Sequence, residues 1–315
     1  MRRTIKLFLC TCMTLLFIGL GCVSHAEIKI GSKNLADHVV LGKALCLYLK
    51  VHSLPVVDKT NYGGSMDLRR AILTGDIDLY FESLSTAWFN FFHRKTLESS
   101  PEYLYVECKK LDRKNGLRWL AYTPANRTFA LVIRKDDSTK MRIDSISDWI
   151  RYVSKAGKKV TVVLPKELGQ AETLMSGLVK HYVETLKLDS KFPYKAVKIT
   201  HSLLPGLVSN GTYSAGLSFA TLGKIDYFDL VCLKDDLSFF PAYNLSPVAR
   251  AELVIRYVRL PFLLNMFCKK VTTDILRRFD YLVSGEKRNP EGVAMAWLID
   301  QKLVSPEQAA EYFIE

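Results

Sequence analysis

The side chains that could do chemistry here are defined first by the arrangements they fail to make. There is no G-x-S-x-G elbow, no H-E-x-x-H pair and no Walker loop, and His38, His52, His93, His181 and His201 show no metal-ligand spacing. Those histidines read as surface or polar-packing residues, and no catalytic residue, metal site or cofactor is expected. Cys46, Cys108, Cys232 and Cys268 are far apart and form no C-x-x-C, which argues against a metal centre. A disulfide stays open in an oxidising compartment, although Cys46 and Cys232 sit among apolar neighbours and read as small core residues. What remains is recognition chemistry. Three polar segments follow apolar runs: Gly31-Ser32-Lys33-Asn34, the stretch 82–86 with Glu82, Ser83 and Thr86, and the stretch 125–131 around Asn126. Small, charged or amide side chains at strand ends are where α/β sheets bind ligands.

These segments need strands and helices to hold them. Residues 28–32 read as a strand ending in a Gly/Ser loop, and 35–51 as a helix with Val39, Leu41, Leu45 and Leu49 at helical spacing. A second strand falls near 55–57, a turn at 62–65 offers Ser65 as a helix N-cap, and 77–81 reads as a strand delivering 82–86. Strands are expected at 128–133, 160–164 and 230–233, and helices at 146–153 and 173–186. After Pro241 the pattern predicts helices at 247–257, 272–283, 290–301 and 306–313, with Ser246-Pro247 and Ser305-Pro306 as starts. Alternating β and α elements closing in helices predict two α/β lobes with a cleft between them.

The 315 residues, 49% hydrophobic and 24% charged, are enough for one large or two medium domains and exclude general disorder. Arg2, Arg3 and Lys6 precede an apolar run at 7–20, and Ser24-His25-Ala26 supplies small residues for cleavage. The run is about 14 residues where a membrane span needs about 20, so residues 1–26 read as a secretory signal peptide, placing the mature chain in the periplasm. A second reading makes Cys22 a lipid-modified residue, anchoring the chain. Of the net charge of +12, three units lie in residues 1–26, which leaves +9 for the rest. Those Lys and Arg are scattered rather than striped, so nucleic acid is not an expected partner.

Taken as an ordered set, the segments resemble the substrate-binding proteins of osmoprotectant ABC transporters, for glycine betaine, choline, carnitine and related quaternary ammonium compounds. The blocks are Ile30-Gly31-Ser32-Lys33-Asn34, Gly63-Gly64-Ser65, the run 69–80, 116–120, 126–131, 227–231, Asp235-Asp236, and Phe239-Phe240-Pro241-Ala242-Tyr243-Asn244 with 247–250. The resemblance implies a bilobal periplasmic-binding-protein fold of two α/β lobes joined by a two-strand hinge near 129–134 and 229–233. Lobe 1 would comprise 27–131 and 232–315, and lobe 2 the insertion 132–231. It also implies a monomeric receptor delivering its solute to permease subunits driven by a cytoplasmic ATPase.

A quaternary ammonium cannot donate a hydrogen bond, so its site must offer aromatic faces, while a ligand carboxylate needs donors. Carried over one residue at a time, the family's cage tyrosine in its first block falls on Ser83, which removes that ring. The second falls on Phe129, which keeps a ring and loses the hydroxyl. An aromatic position in the inserted lobe falls on Phe219, a following aspartate on Leu222, and an Arg and Asp pair on Gln170 and Glu172. Tyr243 is a further aromatic candidate. Lys33, Asn34, Glu82, Thr86, Asn126 and Thr221 are the polar ones, and Arg127 reads either as a surface salt bridge or as an anion contact. With the cage thinned, a receptor for another polar or cationic solute such as an amino acid, or an envelope lipoprotein that no longer transports, are the alternatives.

Overall fold

The computed structural model describes residues 27–314 apart from 167, 170 and 189–191. The expected leader, Cys22 and Gln170 lie outside the described residues.

Two five-stranded sheets share one plan. In the first, β1 (Ile28–Lys33), β2 (Val56–Gly63) and β3 (Leu79–Ser83) run parallel, and the order is β2-β1-β3-β10-β4 once β4 (Leu117–Trp119) and β10 (Leu245–Arg250) are added. The second is built from β5 (Phe129–Arg134), β6 (Val160–Pro165), β7 (Tyr194–Ile199), β8 (Ala215–Phe219) and β9 (Leu230–Cys232), in the order β7-β6-β8-β5-β9. In each sheet three parallel strands are followed by an antiparallel one, β10 against β3 and β5 against β8. The parallel strands are joined through helices, as parallel connections require. Helices cover both faces of the sheets, giving each two apolar layers. The two strands expected at the hinge, 129–134 and 230–232, pair with each other inside the second sheet.

The chain passes between sheets at 120–128 and returns at 233–244, and these two segments are tied together. Asn126 and Asn244 form an antiparallel bridge, the Arg127 N–H donates to the Tyr243 carbonyl at 3.3 Å, and the Thr128 hydroxyl donates to the Pro241 carbonyl at 2.8 Å. Farther away the second sheet touches the helix Thr273–Asp280. Arg277 Nε donates to the Ala220 carbonyl at 2.8 Å, and the Gly223 N–H donates to Asp280 at 2.7 Å. Gly223 is needed there: a Cβ would stand 2.3 Å from the backbone nitrogen of Tyr281.

Several expected elements shift. Residues 247–257 do not form one helix: 245–250 is an inner strand, buried along nearly its whole length, and the helix is Ala251–Arg256. Proline at the first helical turn and proline in an extended run share a signature, because the residue before proline is extended in both. Ser246 is thus no N-cap. Its hydroxyl donates to the Leu120 carbonyl at 3.2 Å, and the Pro247 carbonyl accepts from the Leu120 N–H at 3.0 Å. Ser305 does cap its helix, accepting from the Gln308 N–H at 3.2 Å. Ser65 is the first helical residue rather than the cap, which is Gly64, its N–H held by Asp67 at 3.0 Å. The strand expected at 77–81 runs 79–83, so Glu82 and Ser83 belong to the strand rather than to the loop after it. The four described cysteines are free, three buried and Cys232 half-buried.

Candidate functional site

The first sheet ends in a charged floor. β1 finishes at Lys33 and β3 runs through Glu82, parallel neighbours in the sheet, and the Lys33 ammonium donates to Glu82 Oε1 at 2.5 Å with both residues buried. The same oxygen accepts the Ser83 N–H at 2.7 Å, while Oε2 is buried with no hydrogen-bond partner among the described residues. Burying an ion pair is tolerable only when its remaining valences are met, so one open lone-pair set on Glu82 marks a place where a donor or a cation would be welcome. Gly31 allows the close approach beneath: a Cβ there would meet Ile77 and Leu68 at 2.9 Å.

Beside this pair, the helix Ala36–Val51 starts with Asp37 and His38, both buried. Arg127 reaches across and donates through Nε to Asp37 at 2.6 Å. This decides between the two readings of Arg127: it is an ion pair with a carboxylate that is 2% exposed, at the crossing between sheets. His38 Nε2 has no hydrogen-bond partner among the described residues, and burial, aided by the Lys33 and Arg127 charges, holds its pKa well below the usual imidazole value. The floor therefore carries two cations, two carboxylates and a neutral imidazole.

The second sheet contributes rings. Phe129 on β5 lies directly opposite Phe219 on β8, and the two stack at 5.1 Å between centroids. Phe240 is 6.1 Å from Phe129, Tyr243 meets Phe129 edge-on at 6.3 Å, and His201 meets Phe219 edge-on at 5.4 Å. Phe129, Phe219, Tyr243 and His201 are only half-buried, which leaves ring area for a guest. Asp235 sets the turn that carries the ring of Phe240: its carboxylate accepts the N–H groups of Phe239 and Phe240 at 3.0 and 2.7 Å and the Tyr182 hydroxyl at 2.6 Å.

The expected residues divide accordingly. Lys33 and Glu82 come together, as do Phe129, Phe219 and Tyr243. Asn126 is occupied in architecture, its side-chain oxygen accepting the Tyr243 N–H at 2.8 Å. Asn34 is exposed and ties its backbone to Gly63, Ser83 is 3% exposed, and Thr86 is half-buried one turn into the helical segment that follows β3. Thr221 is 2% exposed, in the segment whose Ala220 and Gly223 dock on the helix Thr273–Asp280. Asp37, His38, His201 and Phe240 were not among the candidates. Asp37 and His38 carried the only available signal, polar residues in the first turn of an apolar helix directly after the Gly-Ser-Lys-Asn segment. Among the described residues no group of His, Cys, Asp and Glu could hold a metal ion, and no helix is long and apolar enough to cross a membrane.

Two α/β lobes joined by two crossing segments, one carrying a charged cluster at its strand ends and the other a group of half-buried rings, have the architecture of a solute-binding protein of the bilobal type. Residues 26–300 match the family described as the substrate-binding domain of the ABC-type glycine betaine transport system, and the chain belongs to that family. It is 26% identical over 297 residues to an ergothioneine transport permease/ergothioneine binding protein of Helicobacter pylori, a match that covers 93% of this chain and 51% of that protein. The chain thus spans about half the length of that relative. It is 24% identical over 296 residues to the glycine betaine-binding protein YehZ of Escherichia coli, covering 93% of this chain and 97% of the relative. In fold it matches the solved structure of apo YehZ with TM-score 0.78 at 22% identity, over 89% of this chain and all of that one. A glycine betaine/carnitine/choline ABC transporter structure matches with TM-score 0.76 at 19% identity, over 88% and 99% of the two chains. The family is one of transport rather than catalysis, and it works with ABC transporter permease components.

Proposed function

We propose that the junction of the two sheets is the solute cleft of an extracytoplasmic receptor, and that the solute is a small quaternary ammonium compound of the glycine betaine, choline or carnitine type. What supports the reading is the half-exposed Phe129 and Phe219 stack set at the same junction as the buried Lys33 and Glu82 pair. Rings attract a quaternary ammonium through their negative faces. The open Glu82 oxygen adds a negative counterpart, and the Lys33 ammonium and the N–H groups at the strand ends suit a ligand carboxylate.

In this reading lobe 1 carries the first sheet and lobe 2 the second, β5 and β9 included, and the lobes close over the solute about the crossing segments. The closed form is what a membrane permease, driven by a cytoplasmic ATPase, would recognise. Residues 1–26 direct export and are removed, which leaves a monomer in the periplasm; in the second reading cleavage falls before Cys22 instead, and its lipidation keeps the chain at the membrane.

Calorimetric titration with glycine betaine, choline, carnitine and ergothioneine tests the proposal, the last because the Helicobacter pylori relative is named for it. Binding of at least one at micromolar to submillimolar affinity is expected. No heat from any of them at about 1 mM, where a free energy near −4 kcal/mol is still visible, removes the ligand assignment.

A further inference from the structure

The first two helices after β10, Ala251–Arg256 and Leu260–Cys268, carry apolar side chains on both sides. Along the stretch 253–268 the inward face, with Leu253, Leu260, Leu263, Leu264 and Phe267, is buried in the core of the first sheet. The outward face carries Ile255, Val258, Phe262 and Met266, spaced by three, four and four residues, at 76, 80, 66 and 41% exposure. Tyr257, at φ −111° and ψ 78°, breaks the helix between Ala251–Arg256 and Leu260–Cys268, so Ile255 lies on the first helix, Val258 in the short turn between them, and Phe262 and Met266 on the second. Among the described residues Val258 and Ile255 are the most exposed large apolar side chains. A helix apolar all round ordinarily meets a second apolar phase on its outer side.

Along residues 253–273 the charge has one sign, and the carboxylates bordering the stretch, Glu252 and Asp274, are each paired with an arginine, Arg250 and Arg277. Arg256, Arg259, Lys269 and Lys270 are exposed within it or at its end, and residues 253–273 include no Asp or Glu. None of the four basic side chains is in an ion pair or hydrogen bond with a described residue. Pairing this face with a second copy would set two uncompensated basic clusters against each other. An anionic surface with an apolar interior meets both needs at once, taking up the apolar side chains and neutralising the cations.

We infer that the face formed by Ile255, Val258, Phe262 and Met266, framed by Arg256, Arg259, Lys269 and Lys270, is a docking surface for an anionic phospholipid bilayer. It holds lobe 1 against the membrane independently of any lipid on the N-terminus, leaving the cleft free to open and close.

The test is co-sedimentation of the full chain with vesicles of phosphatidylcholine alone and with about 30% phosphatidylglycerol, a content that gives the surface potential of an anionic leaflet. Binding is expected to the anionic vesicles in excess of the neutral ones, and that excess should vanish near 0.5 M salt, where the screening length is roughly 4 Å. Val258→Asp with Phe262→Asp should reduce the excess at least tenfold, because each removes an apolar insertion and adds repulsion. The milder pair Arg256→Gln and Arg259→Gln, which leaves the buried face untouched, should weaken it roughly fivefold per charge. A leader with Arg2, Arg3 and Lys6 would itself favour the anionic vesicles, but equally in every variant, so the difference between parent and variant reads the patch. Equal binding to both vesicle types, or an anionic excess that neither variant pair changes, overturns the inference. A concentration-dependent dimer abolished by Val258→Asp, without an anionic excess, assigns the face to a second copy instead.

Discussion

The two sides of the candidate cleft are built on opposite physical terms. On the first sheet, Lys33, Glu82, Asp37 and His38 are each no more than 7% exposed, and every charge there is fixed by a partner on another element. On the second sheet, Phe129 and Phe219 are half-exposed rings held by stacking. A buried charge cannot be removed without leaving its partner stranded, whereas a half-exposed ring can be trimmed at the cost of some contact area. The difference teaches that the floor belongs to the folding core as much as to the ligand, while the wall is nearer to a ligand device. Substitutions should separate the two, stability responding to the floor and affinity to the wall.

The largest effect is expected from Glu82→Ala. It strands the Lys33 ammonium 7% exposed in the sheet, and breaking a buried pair from one side costs about 3–5 kcal/mol. Urea unfolding monitored by tryptophan fluorescence checks it. A loss under about 1 kcal/mol, the range of exposed ion pairs, would mean that the floor is not integral to the fold. The double variant Lys33→Met with Glu82→Leu should recover most of the loss, since an apolar pair of similar volume leaves nothing unpaired.

Gly223→Ala attacks the contact that fixes the second sheet against the helices of the first lobe. Its methyl group would sit 2.3 Å from the Tyr281 backbone nitrogen and 2.5 Å from its Cα, so the contact between the second sheet and the 273–285 region must open. Overpacking of this kind costs about 1–3 kcal/mol. The cost falls on the arrangement of the two lobes rather than on either core. Glycine betaine affinity should drop roughly tenfold or more through a smaller competent population, with the urea midpoint changed far less. Small-angle scattering should show a larger radius of gyration.

The floor also has a pH signature. His38 is held neutral by burial and by the Lys33 and Arg127 charges, while in the unfolded chain it protonates near its ordinary 6.5. Between its depressed folded value and 6.5 the unfolded state binds more protons, so stability falls as pH drops below 6.5. The slope from this one group is at most about 1.4 kcal/mol per pH unit. His38→Gln should remove that share of the slope between about pH 6.5 and 5 in urea unfolding series. An unchanged slope would mean that His38 is protonated in the folded protein.

The same contrast explains what could be read in the sequence. β1 and the helix after it were legible because Ile28, Ile30 and the apolar residues of 36–51 follow the strand and helix periods. β10 was not: Leu245-Ser246-Pro247-Val248 is buried on both faces, so it shows no alternation, and its proline mimics a helix start. The wall was accessible residue by residue, since Phe129 and Phe219 stand where aromatic positions fall. The Lys33 and Glu82 pair could be listed but not joined, because 49 residues separate them and only the parallel neighbouring of β1 and β3 brings them together. Arg127 with Asp37 was hidden for the same reason at a separation of 90.

The smallest and most specific effect should come from the wall. Phe219→Ala removes one ring of the stacked pair and leaves Phe129 with Phe240 and Tyr243 beside it. A cation on an aromatic face gains about 0.5–2 kcal/mol, so glycine betaine affinity should fall by between about twofold and thirtyfold. Stability should change less than with Glu82→Ala, because Phe219 is only half-buried. Phe219→Leu separates the two contributions: it keeps most of the apolar volume and loses the ring face. If Phe219→Leu binds glycine betaine as tightly as the parent, the wall acts by shape rather than by its π faces. The aromatic part of the contrast would then fall, while the charged floor stands unaffected.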